Sequence, residues 1–93
     1  MKVRFTSAAR DDIARIHDYI FQHNPAAAAR VVRAIEVSTY RLVNFPNSGR
    51  IGGVADTREV VVPKLPYIAV YRITASHVEI MAVFHAAEDK PRG

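Results

Sequence analysis

The sequence predicts an α+β domain in the order β-α-α-β-β-β, with a helical hairpin packed on one face of a small, mainly antiparallel four-stranded sheet. Three observations predict it. Apolar residues recur every three or four positions across 8–23 and 25–44, a helix period. Three short apolar segments at 57–62, 67–73 and 77–84 are separated by turn residues, a strand pattern. A further short stretch before the helices, Lys2–Phe5, alternates charged and apolar residues. The chain has 93 residues, 49% hydrophobic and 24% charged, which fits one globular domain over 1–93 rather than a disordered chain.

In the first strand, Val3 and Phe5 alternate with Lys2 and Arg4. Thr6 or Ser7 then offers an N-cap, and Asp11 and Asp12 stand near the positive end of the helix that follows. Ala9, Ile13, Ile16 and Ile20 form its apolar stripe. Pro25 disfavours a helical Asn24 and itself suits the first position of the next helix. Ala28, Val31, Val32, Ile35, Thr39, Leu42 and Val43 form the second stripe, with Arg30, Arg33, Glu36 and Arg41 largely off it. So short a link makes the helices antiparallel neighbours.

Pro46-Asn47-Ser48-Gly49 is turn chemistry, and the Gly-rich residues 47–56 read as a flexible connector. Turns at 63–66 and 74–76 join the remaining strands into an antiparallel meander. Strand 67–73 is apolar on both sides, with Tyr67, Ala69, Tyr71 and Ile73 opposite Ile68 and Val70, and Arg72 its one charge. Strand 77–84 sets Val78, Ile80, Ala82 and Phe84 opposite Met81 and Val83. One helical hairpin covers one face, so a second apolar face is left for something else to cover. The tail from about residue 86 is polar and is expected to fray.

Without cysteine, the chain has neither a disulfide framework nor a thiolate metal site. It has no apolar run near the roughly 20 residues that span a bilayer, and its first residues lack the apolar core of a signal peptide. A cytoplasmic protein with no membrane contact is expected. Thirteen cations against nine acids give a net charge of +4, which predicts an acidic partner, nucleic acid or protein. Ten of the cations are Arg, the residue suited to bidentate contact with carboxylate or phosphate.

The sequence holds no HExxH, GxSxG or Walker loop, so no metal and no cofactor is expected. His85 ends the last strand, where it faces water or serves as a general acid or base. Arg72 stands on an apolar sheet face and either contacts a partner or pairs internally with Glu59 or Glu79.

Several local patterns in this order are familiar together. They are Ala9, Asp12, Ile16 and Tyr19-Ile20 in the first helix, then Pro46-Asn47-Ser48-Gly49-Arg50. Thr57-Arg58-Glu59, Leu65-Pro66-Tyr67, Val70-Tyr71-Arg72 and Val83-Phe84-His85-Ala86-Ala87 follow. Over the whole chain the sequence resembles the RelE/ParE toxin superfamily, on its ParE-like, plasmid stabilization side. The resemblance implies the toxin of a type II toxin–antitoxin system, neutralised by a cognate antitoxin that wraps over it and covers apolar surface. It also implies one of two activities, inhibition of DNA gyrase or ribosome-dependent cleavage of mRNA. Ribonuclease members place an Arg near the start of the third strand, a basic residue or His at the end of the fourth, and often a Tyr in the tail. Here Ile68 occupies the first place, only His85 matches the second, and the tail has no Tyr.

The expectation is therefore a toxin that acts by binding gyrase and is not an enzyme. Arg58, Arg72, His85, Lys90 and Arg92 are expected at the target, and Tyr19, Ile68, Val70, Met81 and Val83 at the antitoxin. The alternative is an mRNA endonuclease acting on the ribosome, with His85 working alongside Arg50, Arg58 or Arg72. A further alternative is a non-toxic protein-interaction domain.

Overall fold

The computed structural model describes residues 1–87. Strand β1 (Lys2–Phe5) leads into helix α1 (Ser7–Phe21) and helix α2 (Pro25–Tyr40), which ends in a 3₁₀ turn at Arg41–Val43. Strands β2 (Arg50–Ile51), β3 (Arg58–Val61), β4 (Tyr67–Ile73) and β5 (His77–His85) follow. The sheet has the order β1-β5-β4-β3-β2. Strand β1 pairs parallel to β5, and all other pairs are antiparallel. The expected architecture holds, with five strands in place of four. The added strand lies in the supposed flexible connector. Gly52 N–H donates to the Thr57 carbonyl (2.8 Å) and Thr57 N–H to the Val54 carbonyl (3.2 Å), which closes 50–58 into a hairpin.

Caps set the helix starts. The Thr6 hydroxyl accepts from Ala9 N–H (3.1 Å) and the Asn24 side chain from Ala27 N–H (3.1 Å), with Pro25 at the first turn of α2. Both stripes face the sheet. Ala9, Ala28, Val31, Ile35, Thr39 and Leu42 are buried, while Ile13, Ile16 and Ile20 pack at the margin of the core. Tyr67, Ala69 and Tyr71 of β4 meet the helices together with Val78, Ile80 and Val83 of β5.

Val83 corrects the expected alternation. Tyr71 pairs with Ile80 but Val70 with Ala82, so Met81 is the extra residue of a β-bulge. Beyond the bulge the faces exchange. Val83 joins the core, and Phe84 pairs with Ile68 on the face away from the helices. Asp12, expected to serve the helix terminus, lies beyond the first turn of α1 and accepts from Val83 N–H (3.0 Å) instead. The Thr6 hydroxyl donates to the Met81 carbonyl (3.3 Å). Side chains from the start of α1 thus satisfy backbone groups of β5 at and beyond the bulge, where β1 has already ended.

That second face is not the uniformly apolar surface expected from the pattern. Ile68 and Phe84 are buried there, and Val70 and Ala82 are half-buried. The same face carries Arg50 opposite Glu59, and Arg72 opposite Glu79 with Arg4 beside it.

Candidate functional site

The expected site residues fall at two ends of the sheet. At the β2–β3 end, Asn47, Ile51, Asp56, Thr57, Arg58 and Arg72 line an open cleft of about 720 Å³. Its geometry starts from Tyr71, which is fully buried. The Tyr71 hydroxyl donates to the Pro46 carbonyl (2.7 Å) and accepts from Gly49 N–H (2.9 Å). Gly49 must be small there, because a Cβ would lie 2.5 Å from the Tyr71 oxygen and 2.8 Å from the Glu59 carbonyl. This clamp fixes the 46–49 turn against the sheet and presents its carbonyls to Arg58. The Arg58 guanidinium donates to Gly49 O (2.8 Å) and Asn47 O (3.3 Å).

The other two arginines of this end are also engaged. Arg50 meets Glu59 through Nη2 (3.1 Å) and Nε (3.3 Å), and that carboxylate is 4% exposed. Arg72 Nε donates to Glu79 (2.9 Å), so of its two expected roles the internal pair is present. His77, at the head of β5, lies near the second oxygen of Glu79 (3.4 Å). The hydrogen bond from His77 is the largest influence on the Glu79 carboxyl; burial opposes it, and the charge and hydrogen bond of Arg72 add to it, so the group is held below the ordinary carboxylate range.

At the opposite end, Arg15, Ile16, Asp18, Tyr19, Tyr67 and His85 line a second cleft, of about 610 Å³, between the last turns of α1 and the sheet. Here the structure brings together three expected residues, Tyr19, Val83 and His85. The His85 ring stands edge-on to Tyr67 with centroids 5.5 Å apart. His85 Nδ1 accepts from Ala87 N–H (3.0 Å), which in the neutral ring leaves the proton on Nε2. The lone pair that a general base would use is therefore engaged by the backbone. Tyr67 pairs with His85, whereas Arg72 lies five residues further along β4. At about 3.3 Å per residue, that sets His85 roughly 15–20 Å from the arginine-lined cleft.

A family model described as the ParE toxin of type II toxin–antitoxin systems, parDE, matches residues 3–90. The chain belongs to the ParE toxin family. It is 41% identical to Y4kP of Sinorhizobium fredii over 98% of this chain and 94% of that one. It is 34% identical to toxin RelE2 of Caulobacter vibrioides over 92% of this chain and 96% of that one. A solved chromosomal ParDE toxin–antitoxin structure from P. aeruginosa superposes with a TM-score of 0.83, covering 91% of this chain and 95% of that one at 23% identity, a likeness of fold.

In this ParE-family toxin the expected residues do not make one site. Arg58 and Arg72 share one cleft, and His85 lies in the other. Of the expected antitoxin set, Tyr19 is exposed, Val70 and Met81 are half-buried, and Ile68 and Val83 are buried within the chain itself. Lys90 and Arg92 lie outside the described residues. Sequence reasoning passed over Tyr67, Asp56 and Thr57 as site residues. Tyr67 had a signal, since its position opposite the last residue of the final strand follows from the meander register. Asp56 had none, because residues 47–56 read as a connector, and Thr57 reads only as the start of strand 57–62. Among the described residues no group of three His, Asp or Glu side chains could hold a metal ion. Among them, too, no helix is long and apolar enough to cross a membrane.

Proposed function

We propose that this toxin acts by binding its target rather than by breaking a bond, with DNA gyrase as the cytoplasmic target and a cognate antitoxin as the neutralising partner. One observation carries the proposal: the groups a ribonuclease would use do not converge. Cleavage by 2′-OH attack needs a base, an acid and cations around one phosphate. His85 is at one end of the sheet, and Arg50, Arg58 and Arg72 are at the other, each already bonded within the chain. A preorganised donor aimed at the developing charge is commonly worth on the order of a hundredfold or more in rate. Arginines spent on internal carboxylates and carbonyls do not supply it.

A binding surface has no such need for convergence. The Arg58–Arg72 cleft is open, rigidly backed by the Tyr71 clamp, and retains cationic surface suited to an acidic target. Arg58, Arg72 and His85 remain the proposed target contacts. For the antitoxin, Tyr19, Val70 and Met81 are the members of the expected set that keep exposed surface.

Two purified assays test the reading. Gyrase supercoiling is expected to fall in the presence of the toxin while cell-free translation continues. Translation arrest with intact supercoiling would overturn the binding reading and favour the ribonuclease. His85→Ala sharpens the test, since a ribonuclease using His85 would lose most of its activity and a gyrase binder would retain most of it.

A further inference from the structure

The bulge at Met81 decides which way the end of β5 faces. Val78 and Ile80 point to the helices, and in an unbroken ladder every second residue after them would do the same. His85 would then stand with His77, Glu79 and Arg72 on the face away from the helices. The extra residue reverses this. Val83 lies in the core, Tyr67 opposite His85 is buried with it, and His85 lines the cleft beside α1. His85 is thus separated from Arg72 by sheet face as well as by distance along the strands.

A bulge needs holding, because it leaves strand groups without ladder partners. Strand β1 pairs with β5 only as far as Phe5 opposite Ile80, where Thr6 N–H donates to the Ile80 carbonyl (3.0 Å). Past that point side chains take over. The Thr6 hydroxyl donates to the Met81 carbonyl (3.3 Å), and Asp12 Oδ2 accepts from Val83 N–H (3.0 Å). Asp12 does more than fill a gap. Its Oδ1 accepts from Arg15 Nη2, and both Arg15 and Val83 line the His85 cleft. One carboxylate, 19% exposed, therefore ties the α1 side of that cleft to the β5 side. Its bond to the backbone N–H is charge-assisted, the stronger kind. Two simpler roles do not account for it. Asp12 lies beyond the first turn of α1, out of reach of the helix terminus. The Arg15 pair alone gives little, because Arg15 is 71% exposed.

We propose that Asp12 is a positioning residue for His85. By holding Val83 N–H it fixes the bulged end of β5 and turns the His85 ring into the α1 cleft, edge-on to Tyr67. Bulges elsewhere re-aim side chains in the same way. The inference rests on the reading that His85 contacts the target, and extends it to a residue that touches no target itself.

The test compares Asp12→Ala with Asp12→Asn in the full chain, at a temperature where every variant is folded by circular dichroism. Asp12→Ala is expected to speed exchange of the Val83 amide about tenfold and to weaken the NMR cross-peaks between the His85 and Tyr67 rings. Asp12→Asn keeps an oxygen acceptor and should restore both. Arg15→Ala removes only the ion pair and should change neither. Tyr71→Phe destabilises the other end of the sheet and should leave the ring contact as it is, which separates positioning from a general loss of stability.

Binding to purified gyrase reads the consequence. His85→Ala and Asp12→Ala are each expected to weaken it about threefold, and the double variant also about threefold rather than about ninefold, because both remove one contact. Unmoved ring cross-peaks in Asp12→Ala overturn the proposal. So do losses that multiply in the double variant, or an Asp12→Asn as impaired as Asp12→Ala. Should Asp12→Ala not fold, Asp12→Glu displaces the acceptor by one methylene and carries the same comparison. An affinity unchanged by His85→Ala removes the target contact instead, and the ring cross-peaks still decide the positioning.

Discussion

Two arginine-rich regions of this toxin look alike in composition and are built for different ends. At the β2–β4 end, Arg50, Arg58 and Arg72 hold the fold together, each facing a carboxylate or carbonyl at 2.8–3.3 Å. On α2, Arg30, Arg33 and Arg41 face outward beside depressions toward β3, with no partner among the described residues. Counting charges treats all six as equal. The difference lies in what stands within reach, and it separates cations held in place by partners within the chain from cations with none among the described residues.

The strongest way to break that contrast is to disturb the clamp behind the first region. Gly49→Ala puts a methyl group 2.5 Å from the Tyr71 oxygen and 2.8 Å from a backbone carbonyl. Overpacking of this kind costs about 2 kcal/mol, or roughly 8–16 °C in Tm for a domain of this size. Tyr71→Phe removes two hydrogen bonds and strands the buried Gly49 N–H, for a loss of about 1–3 kcal/mol. Thermal melts check both. An unchanged Tm in either variant would mean that the 46–49 turn does not depend on the clamp.

Arg50→Ala is expected to cost less, about 1 kcal/mol in urea unfolding, because Glu59 is buried but Arg50 itself is 57% exposed. Arg72 and Glu79 give a smaller effect with a pH signature. Because the Glu79 carboxyl is held below its ordinary value, chiefly by His77 and then by Arg72, it adds stability that is full at neutral pH. That stability is lost as pH falls through the lowered value. The stability curves of wild type and Glu79→Gln should therefore differ at pH 7 and converge in acid. Curves that diverge as pH falls would assign the pair the wrong sign. At the bottom of the series, Arg33→Ala should change stability by no more than about 0.5 kcal/mol. If Arg33→Ala destabilises as much as Arg50→Ala, the distinction between the two regions fails.

Much of the fold was legible. The helix periods and caps gave both helices within two residues at their starts, and the meander followed from its turns. The fifth strand was not, because two residues, Arg50–Ile51, carry too short a pattern to read. The bulge at Met81 was not legible either. A period of two assumes an unbroken ladder, and one extra residue exchanges the faces of everything after it. That is why Val83 was assigned to a partner's surface and lies in the core. For the site, His85 was found by its position at a strand end. The engagement of Arg50, Arg58 and Arg72 could only be posed as alternatives, since each had several acids or carbonyls within plausible reach.

By itself the sequence determined the layer architecture, the family and the basic character of the surface. The first and last follow from periodicity, turn chemistry and composition, which are local or summed properties of the chain; the family rests on the resemblance of its residue patterns to known members. The tertiary structure alone decided which arginines are paired within the described residues, that His85 and Arg50, Arg58 and Arg72 stand at opposite ends of one sheet, and that the outer face of α2 opens into depressions toward β3. Each depends on distances between residues far apart in the chain, set by strand register and the bulge. Charge and hydrogen bonding act over a few ångströms, so their outcome waits on that register.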